Sequence, residues 1–222
     1  MSIAQNLSLI REHIPAQVKL VCVSKFHPDN AIMEAYQSGE RIFGESRVQE
    51  LTEKQERLPK DIHWHFIGHL QTNKVKYLVP FVELIHGVDS LKLLTEINKQ
   101  AEKINQVVNC LLQVHIATEE TKFGFSAEEL LGLYQSDKLS ELPFIRVCGL
   151  MGMATFTENH QQVRKEFQTL KSLYDTIKTD YVSGNDDFRE ISMGMSDDYQ
   201  LAIEEGSTMI RIGSSIFGQR IY

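Results

Sequence analysis

Short apolar runs rich in β-branched residues alternate with amphipathic stretches along the whole chain, and this alternation leaves few folds open. The runs read as strands at Lys19–Ser24 (KLVCVS), Arg41–Gly44 (RIFG), Asp61–Gly68 (DIHWHFIG), Val82–Val88 (VELIHGV), Val107–Ile116 (VVNCLLQVHI), Phe144–Met151, Glu190–Met193 and Ser207–Gly213 (STMIRIG). Between them the apolar residues fall at helical spacing. Ile3, Leu7, Ile10 and Ile14 share one face of an opening helix. Pro28 stands at a first helical position before Ile32, Ala35 and Tyr36, and that helix ends near Gly39. Further helices are predicted around Val48–Leu58, Asn73–Val79, Ser90–Asn105 and Asn159–Asp180. Ser126 and Glu129 form a capping box for another, and Ser196–Glu205 is a last one, stopped by Gly206.

Strand–helix alternation implies a parallel sheet, and eight such units imply a closed barrel. The expectation is an α/β fold: one single-domain (β/α)8 barrel of the TIM type over residues 1–222. That length suits a barrel domain, since such folds run to roughly 200–250 residues. An open doubly wound sheet is the competing architecture. It calls for a glycine-rich first turn, and Ser24-Lys25-Phe26-His27-Pro28 has no glycine.

A net charge of −7 argues against nucleic acid as a partner, because such a protein carries a basic footprint. The first residues, MSIAQNLSLIREHI, lack the basic and apolar regions of a signal peptide, and no apolar run is long enough to span a membrane. Cys22, Cys110 and Cys148 lie in apolar runs without framework spacing, so they read as buried, reduced thiols of a cytoplasmic protein.

Barrel sites lie at the C-terminal ends of the strands, with phosphate often held by the loops after strands seven and eight. After the seventh run comes Ser192-Met193-Gly194-Met195-Ser196-Asp197-Asp198, which offers backbone N–H groups and hydroxyls to an anion. Ser196 and the acidic pair also read simply as a helix cap. After the eighth run comes Arg211-Ile212-Gly213-Ser214-Ser215, where Gly213 allows close backbone approach and Ser214 adds a hydroxyl.

Lys25 follows the first strand, the neighbour of the eighth in a closed barrel. Alternation from LVCVS points it into the mouth, where partial desolvation beside a cation favours the nucleophilic neutral amine. The bland alternative is a solvated strand-end lysine. A phosphate ester bearing an aldehyde satisfies lysine and loops together, and pyridoxal 5′-phosphate (PLP) is such a ligand. Arg211 alternates with Ile210 and Ile212, so it faces the interior. There it needs a partner, either the ring nitrogen of the cofactor or a carboxylate such as Glu45.

These residues sit in segments that resemble the pyridoxal phosphate homeostasis family, related to the barrel domain of alanine racemase. The segments are VSKFHP, FGESRVQE, WHFIGHLQTNK, TKFGF (Thr121–Phe125), GLMGM, SMGMSDD and STMIRIGSSIFG, in order along nearly the whole chain. The resemblance implies that Lys25 is the Schiff-base lysine. It implies phosphate contacts from Ser192, Met193, Gly213 and Ser214, Gly194 being counted with its loop, and Arg211 near the pyridine nitrogen. It implies a part in vitamin B6 balance, with effects on amino-acid and keto-acid metabolism, and no established catalytic turnover. The mechanism expected of these residues is reversible storage or delivery of PLP. In it Lys25 captures the aldehyde, the loops grip the phosphate, and an apo PLP-dependent enzyme or an amino compound takes the cofactor from the open mouth; no catalytic residue is expected. Ser46, His69 and His115 depart from the family's usual Asn, Pro and Asn.

Three rival readings are weighed against this one. The first is a weak PLP-dependent racemase. Racemases of this barrel type carry a second β domain, and between Gly213 and Tyr222 the sequence has no room for it, so the expectation is an open, non-catalytic site on a monomer. The second is a metal site at His63, His65 and His69, of which the first two share a strand face. No acidic or cysteine ligand accompanies them, and no metal is expected. The third is an interaction protein using Phe123 and Phe125 as an exposed patch, against their packing in the core.

Overall fold

The computed structural model describes residues 1–118 and 123–218. Its strands are β1 (Lys19–Val23), β2 (Ile42–Glu45), β3 (His63–Phe66), β4 (Leu84–Val88), β5 (Val108–Val114), β6 (Ile145–Gly152), β7 (Glu190–Ser192) and β8 (Met209–Ile212). They hydrogen-bond in sequence order, all parallel, and β8 closes on β1 through the pairs Leu20–Ile210 and Val21–Arg211. The expected eight-stranded barrel is therefore the fold.

The helices are α1 (Ile3–Arg11), α2 (Asp29–Gln37), α3 (Val48–Arg57), α4 (Val75–Leu78), α5 (Leu91–Lys103), α6 (Ala127–Gln135), α7 (His160–Asp180), α8 (Tyr199–Glu204) and α9 (Ser214–Phe217). Local capping accounts for several of their starts. Ser126 and Glu129 form the reciprocal box expected at α6, and Ser90 accepts from Leu93 N at α5. Pro28 proves to be the residue before the first turn of α2 rather than in it. The last expected helix starts at Tyr199, later than Ser196, because Asp198 Oδ1 accepts from Met195 N and ties that segment into a turn. The short α9 had no counterpart in the sequence reading. No helix among the described residues is long and apolar enough to cross a membrane.

Strand alternation sorts side chains into two apolar bodies. The outward residues, such as Leu20, Cys22, Phe43, Trp64, Phe66, Ile85, Ile210 and Ile212, pack under the helices in one large core. Val21, Leu84, Leu111, Met151 and Met209 fill the barrel interior. Phe125 joins the outer core, as ordinary packing requires, while Phe123 is exposed. Cys22 and Cys110 are buried as expected, whereas Cys148 is only half-buried and its thiol is pushed up to about 11, chiefly by burial.

Strict alternation breaks at β6. The β5–β6 register passes from Cys110–Val147 to Leu111–Gly149, so Cys148 is an extra residue. Gly149 sits there at φ +149°, and a Cβ on it would lie 1.8 Å from Glu190 O of β7.

Candidate functional site

The loops after β1, β7 and β8 meet at the C-terminal mouth, which is what the closed order of strands demands. Gly213 stands so close to β1 that a Cβ on it would lie 3.1 Å from Val23 O. Gly213 N donates to Ser196 Oγ at 3.4 Å, and Arg211 N donates to Gly194 O at 3.0 Å, joining the seventh and eighth loops. Gly194 turns at φ +94°, with α8 so near that a Cβ would lie 2.6 Å from Ala202 Cβ. Ser214 and Ser215 open α9, where N–H groups have no acceptor within the helix. The ring of His27, two residues after Lys25, stacks on Phe217 of α9 at 4.9 Å. Lys25, Gly194, Gly213 and Ser214 are thus gathered at one rim, and Lys25 is half-buried.

The turn that presents Lys25 is anchored from behind. Phe26 has φ +66°, a left-handed conformation that costs a bulky residue of order 1–3 kcal/mol unless its surroundings hold it. Phe26 N donates to Glu50 Oε1 at 2.6 Å, and the Arg47 guanidinium lies 4.5 Å from its ring centroid. Lys54 of α3 is buried and donates to Ser24 O, Glu45 Oε1 and Glu50 Oε1 at 2.9, 2.7 and 2.7 Å. Ser24 Oγ donates to the same Glu45 oxygen. Both neighbours of Lys25 are therefore held by one buried ion cluster. Burial pushes the Glu45 carboxyl up to about 7, against the lowering effect of Lys54 and Ser24.

Arg211 faces the interior as alternation predicts, and it is buried. It does not pair with Glu45, which points outward to Lys54, and no carboxylate lies within ion-pair distance of it among the described residues. Its NH1 donates to Ser192 Oγ at 2.6 Å and its NH2 to Gly152 O at 3.2 Å. Burial lowers its pKa to about 10, still a cation at neutral pH. Ser192 is fully buried, its hydroxyl turned to Arg211 and to His86 rather than to the rim. The side chain of Met193 lies in the outer core, so this residue can reach the mouth only through its backbone.

The three histidines weighed as metal ligands are not brought together. His63 is exposed beside Glu83, His65 is buried in the barrel, and His69 lies at the opposite end on Asp89 and Phe123. Among the described residues no group of three or more His, Cys, Asp or Glu is arranged to hold a metal. A cavity of about 350 Å³ opens at the N-terminal end among Lys19, His63, His65, Glu83, Arg146 and Glu190. Its charged side chains pair with one another, as in Lys19–Glu190 and Arg146–Asp187. The C-terminal mouth continues instead into a cavity of about 240 Å³ beside His115, Phe123, Met153 and Met195.

Ser46 is half-buried, and Gly68 packs against its backbone. Thr121 and Lys122 of the TKFGF segment lie outside the described residues. Sequence reasoning missed Ser196 as a link between the loops, His86, and the Glu45–Glu50–Lys54 cluster. The i, i+4 spacing of Glu50 and Lys54 was the one local signal available for any of them.

The donor set suits PLP. It combines a primary amine at the rim, a buried cation with N–H groups to spare for a ring acceptor, and hydroxyls and amides that suit a phosphate.

Comparison with known proteins agrees with this geometry. Residues 1–221 match the family model described as alanine racemase, N-terminal domain. A pyridoxal phosphate homeostasis protein of Aquifex aeolicus is 45% identical over 205 residues, covering 92% of this chain and 88% of the relative. One from Haemophilus influenzae is 36% identical and covers 100% of this chain and 98% of the relative. PipY of Synechococcus elongatus, solved with PLP bound, superposes with a TM-score of 0.87 at 34% identity, covering 98% of this chain and 100% of PipY. An alanine racemase of Clostridium difficile shares the fold at a TM-score of 0.74 and 16% identity, with 98% of this chain aligned to 56% of that one.

Proposed function

Since this chain belongs to the alanine racemase N-terminal-domain family, among the pyridoxal phosphate homeostasis proteins, we propose that it binds PLP at the C-terminal mouth by a Schiff-base linkage to Lys25. The observation that carries this reading is the convergence of Lys25, the Gly213–Ser214 turn and a buried Arg211 with no carboxylate within ion-pair distance among the described residues. When bound, PLP supplies an aldehyde that condenses reversibly with a primary amine. Lys25 provides that amine on a turn fixed by Glu50 and Lys54. The backbone of the loop after Ser192, at Met193 and Gly194, grips the phosphate together with Gly213 and Ser214, while the Ser192 hydroxyl is turned to Arg211 and His86. Arg211 offers N–H donors to the ring nitrogen, and as a cation it leaves that nitrogen unprotonated, which weakens the ring as an electron sink.

The purified protein is expected to show a near-visible absorption band that borohydride bleaches, fixing mass to Lys25. Lys25→Ala should lack both the band and the fixed mass. No band in wild type after addition of PLP sinks the proposal.

The role that fits is storage and release for vitamin B6 balance rather than turnover. It is supported by the relatives' names. Amino compounds and apo PLP-dependent enzymes are the proposed recipients. Loaded protein mixed with an amino acid is expected to exchange its cofactor without racemising the amino acid, and mixed with an apo-enzyme to release PLP faster than into buffer. Rapid racemisation makes it an enzyme instead, and an unchanged release rate removes direct delivery.

A further inference from the structure

Below Arg211 the barrel interior holds a chain of polar side chains that the lysine and the phosphate loops do not use. Arg211 NH1 lies 2.6 Å from Ser192 Oγ, Ser192 Oγ lies 2.9 Å from His86 Nδ1, and His86 Nε2 lies 2.9 Å from His65 Nδ1. These residues come from β8, β7, β4 and β3, and all four are buried. Donor accounting gives the chain a direction. A guanidinium only donates, so Ser192 Oγ accepts from it. The hydroxyl has a single proton, and His86 Nδ1 is its remaining partner among the described residues. His86 Nδ1 is therefore the acceptor. Burial holds both imidazoles neutral, His65 at about 3 and His86 well below its ordinary value. The proton of His86 then sits on Nε2 and is donated to His65 Nδ1, which places the proton of His65 on Nε2. The reverse direction leaves the proton of the fully buried Ser192 hydroxyl without an acceptor among the described residues, a loss of roughly 1–3 kcal/mol.

We propose that Ser192, His86 and His65 are positioning residues for Arg211, forming a one-way hydrogen-bond chain that fixes the guanidinium for the ring nitrogen of PLP. Gly152 O fixes the other terminal nitrogen, NH2, so the guanidinium is held at both ends of its fork while Nε–H has no acceptor among the described residues. The hydroxyl of Ser192 thus serves the nitrogen end of the site and not the phosphate. His86 and His65 act through Ser192 and touch no cofactor themselves. This inference rests on PLP being the ligand.

Two measurements test it. Histidine nitrogen NMR of the cofactor-free protein is expected to find both His65 and His86 protonated on Nε2. A proton on His86 Nδ1 overturns the chain, whatever the ligand proves to be. The second measurement compares release of PLP with release of its analogue carrying CH in place of the ring nitrogen. Ser192→Ala should release PLP about tenfold faster, the worth of one buried hydrogen bond to a charged group, while leaving release of the analogue unchanged. Ser192→Thr, which keeps the hydroxyl, should restore the wild-type rate. Equal acceleration for both compounds assigns Ser192 to the phosphate end or to packing alone and overturns the proposal. Failure of the cofactor reading is distinct, because wild type would then bind neither compound.

Discussion

Gly149→Ala is expected to leave little folded protein at 37 °C. A methyl group at this position would lie 1.8 Å from Glu190 O, 2.7 Å from Glu190 C and 2.9 Å from Glu190 N, all backbone atoms of β7. No rotamer relieves a clash with a main chain, so β6 and β7 must part. The residue also holds φ +149°, which side-chain-bearing residues rarely adopt. Together these should cost more than about 4 kcal/mol, against a total stability for such domains of about 5–15 kcal/mol. The damage reaches the site, because the β6–β7 pairing that follows, Met151–Ser192, carries Ser192. Thermal unfolding followed by circular dichroism is the check, with Gly132→Ala as control. Gly132 lies within α6 with nothing inside 4 Å of its added carbon, so that change should be neutral or stabilising by about 0.5–1 kcal/mol. A Gly149→Ala protein melting within a few degrees of wild type shows the close approach to be wrong.

Lys54→Met should cost about 3–5 kcal/mol, the usual result of removing one partner from a buried ion pair. Methionine fills much of the same volume but leaves Glu45 and Glu50 without their cation. The loss should depend on pH. Glu45 stands near 7 in the folded protein against an ordinary 4.5, chiefly because of burial. Between those values the folded state keeps a proton that the unfolded chain has released. Stability from this group is therefore fully present below about 4.5 and is lost as pH rises through about 7. Removing Lys54 removes an influence that lowers the Glu45 value, so the variant's deficit should be larger at pH 8 than at pH 5.5. Urea unfolding at the two pH values measures this. A deficit equal at both would mean that Glu45 does not titrate in this range. The Lys25 turn should loosen along with the cluster, since Lys54 and Glu50 hold Ser24 O and Phe26 N.

The parts of the molecule legible in the sequence are those fixed by local pattern. The eight β-branched runs, the capping box at Ser126 and the inward side of Arg211 are local signals of this kind, and barrel closure then brings the end of β1, at Val23, against Gly213. What stayed hidden depends on contacts between distant strands. Cys148-Gly149 reads as an unbroken strand because a bulge is a relation to the partner strand, here the step from Val147 to Gly149 opposite Cys110 and Leu111. Ser192 reads as a rim residue because its hydroxyl partners, His86 and Arg211, lie on β4 and β8. The inward side of Arg211 and the family resemblance both point to a ring nitrogen as its expected partner, but neither points to the chain of groups beneath it. Ser196 reads equally well as a cap, and only the approach of Gly213 N gives it another use.

Closure of β8 onto β1 also orders events during synthesis. Chains emerge from the ribosome N-terminus first, at about 5–20 residues per second. Lys25 emerges early, on the strand whose open side waits for Ile210 and Arg211. A nascent chain that has not yet delivered β8 has the amine but neither the guanidinium nor the Gly213–Ser214 turn. Any aldehyde captured then would be held by the lysine alone and would fall off as readily as from a free amine. On the proposed reading of Lys25, cofactor loading is therefore expected only after the barrel has shut.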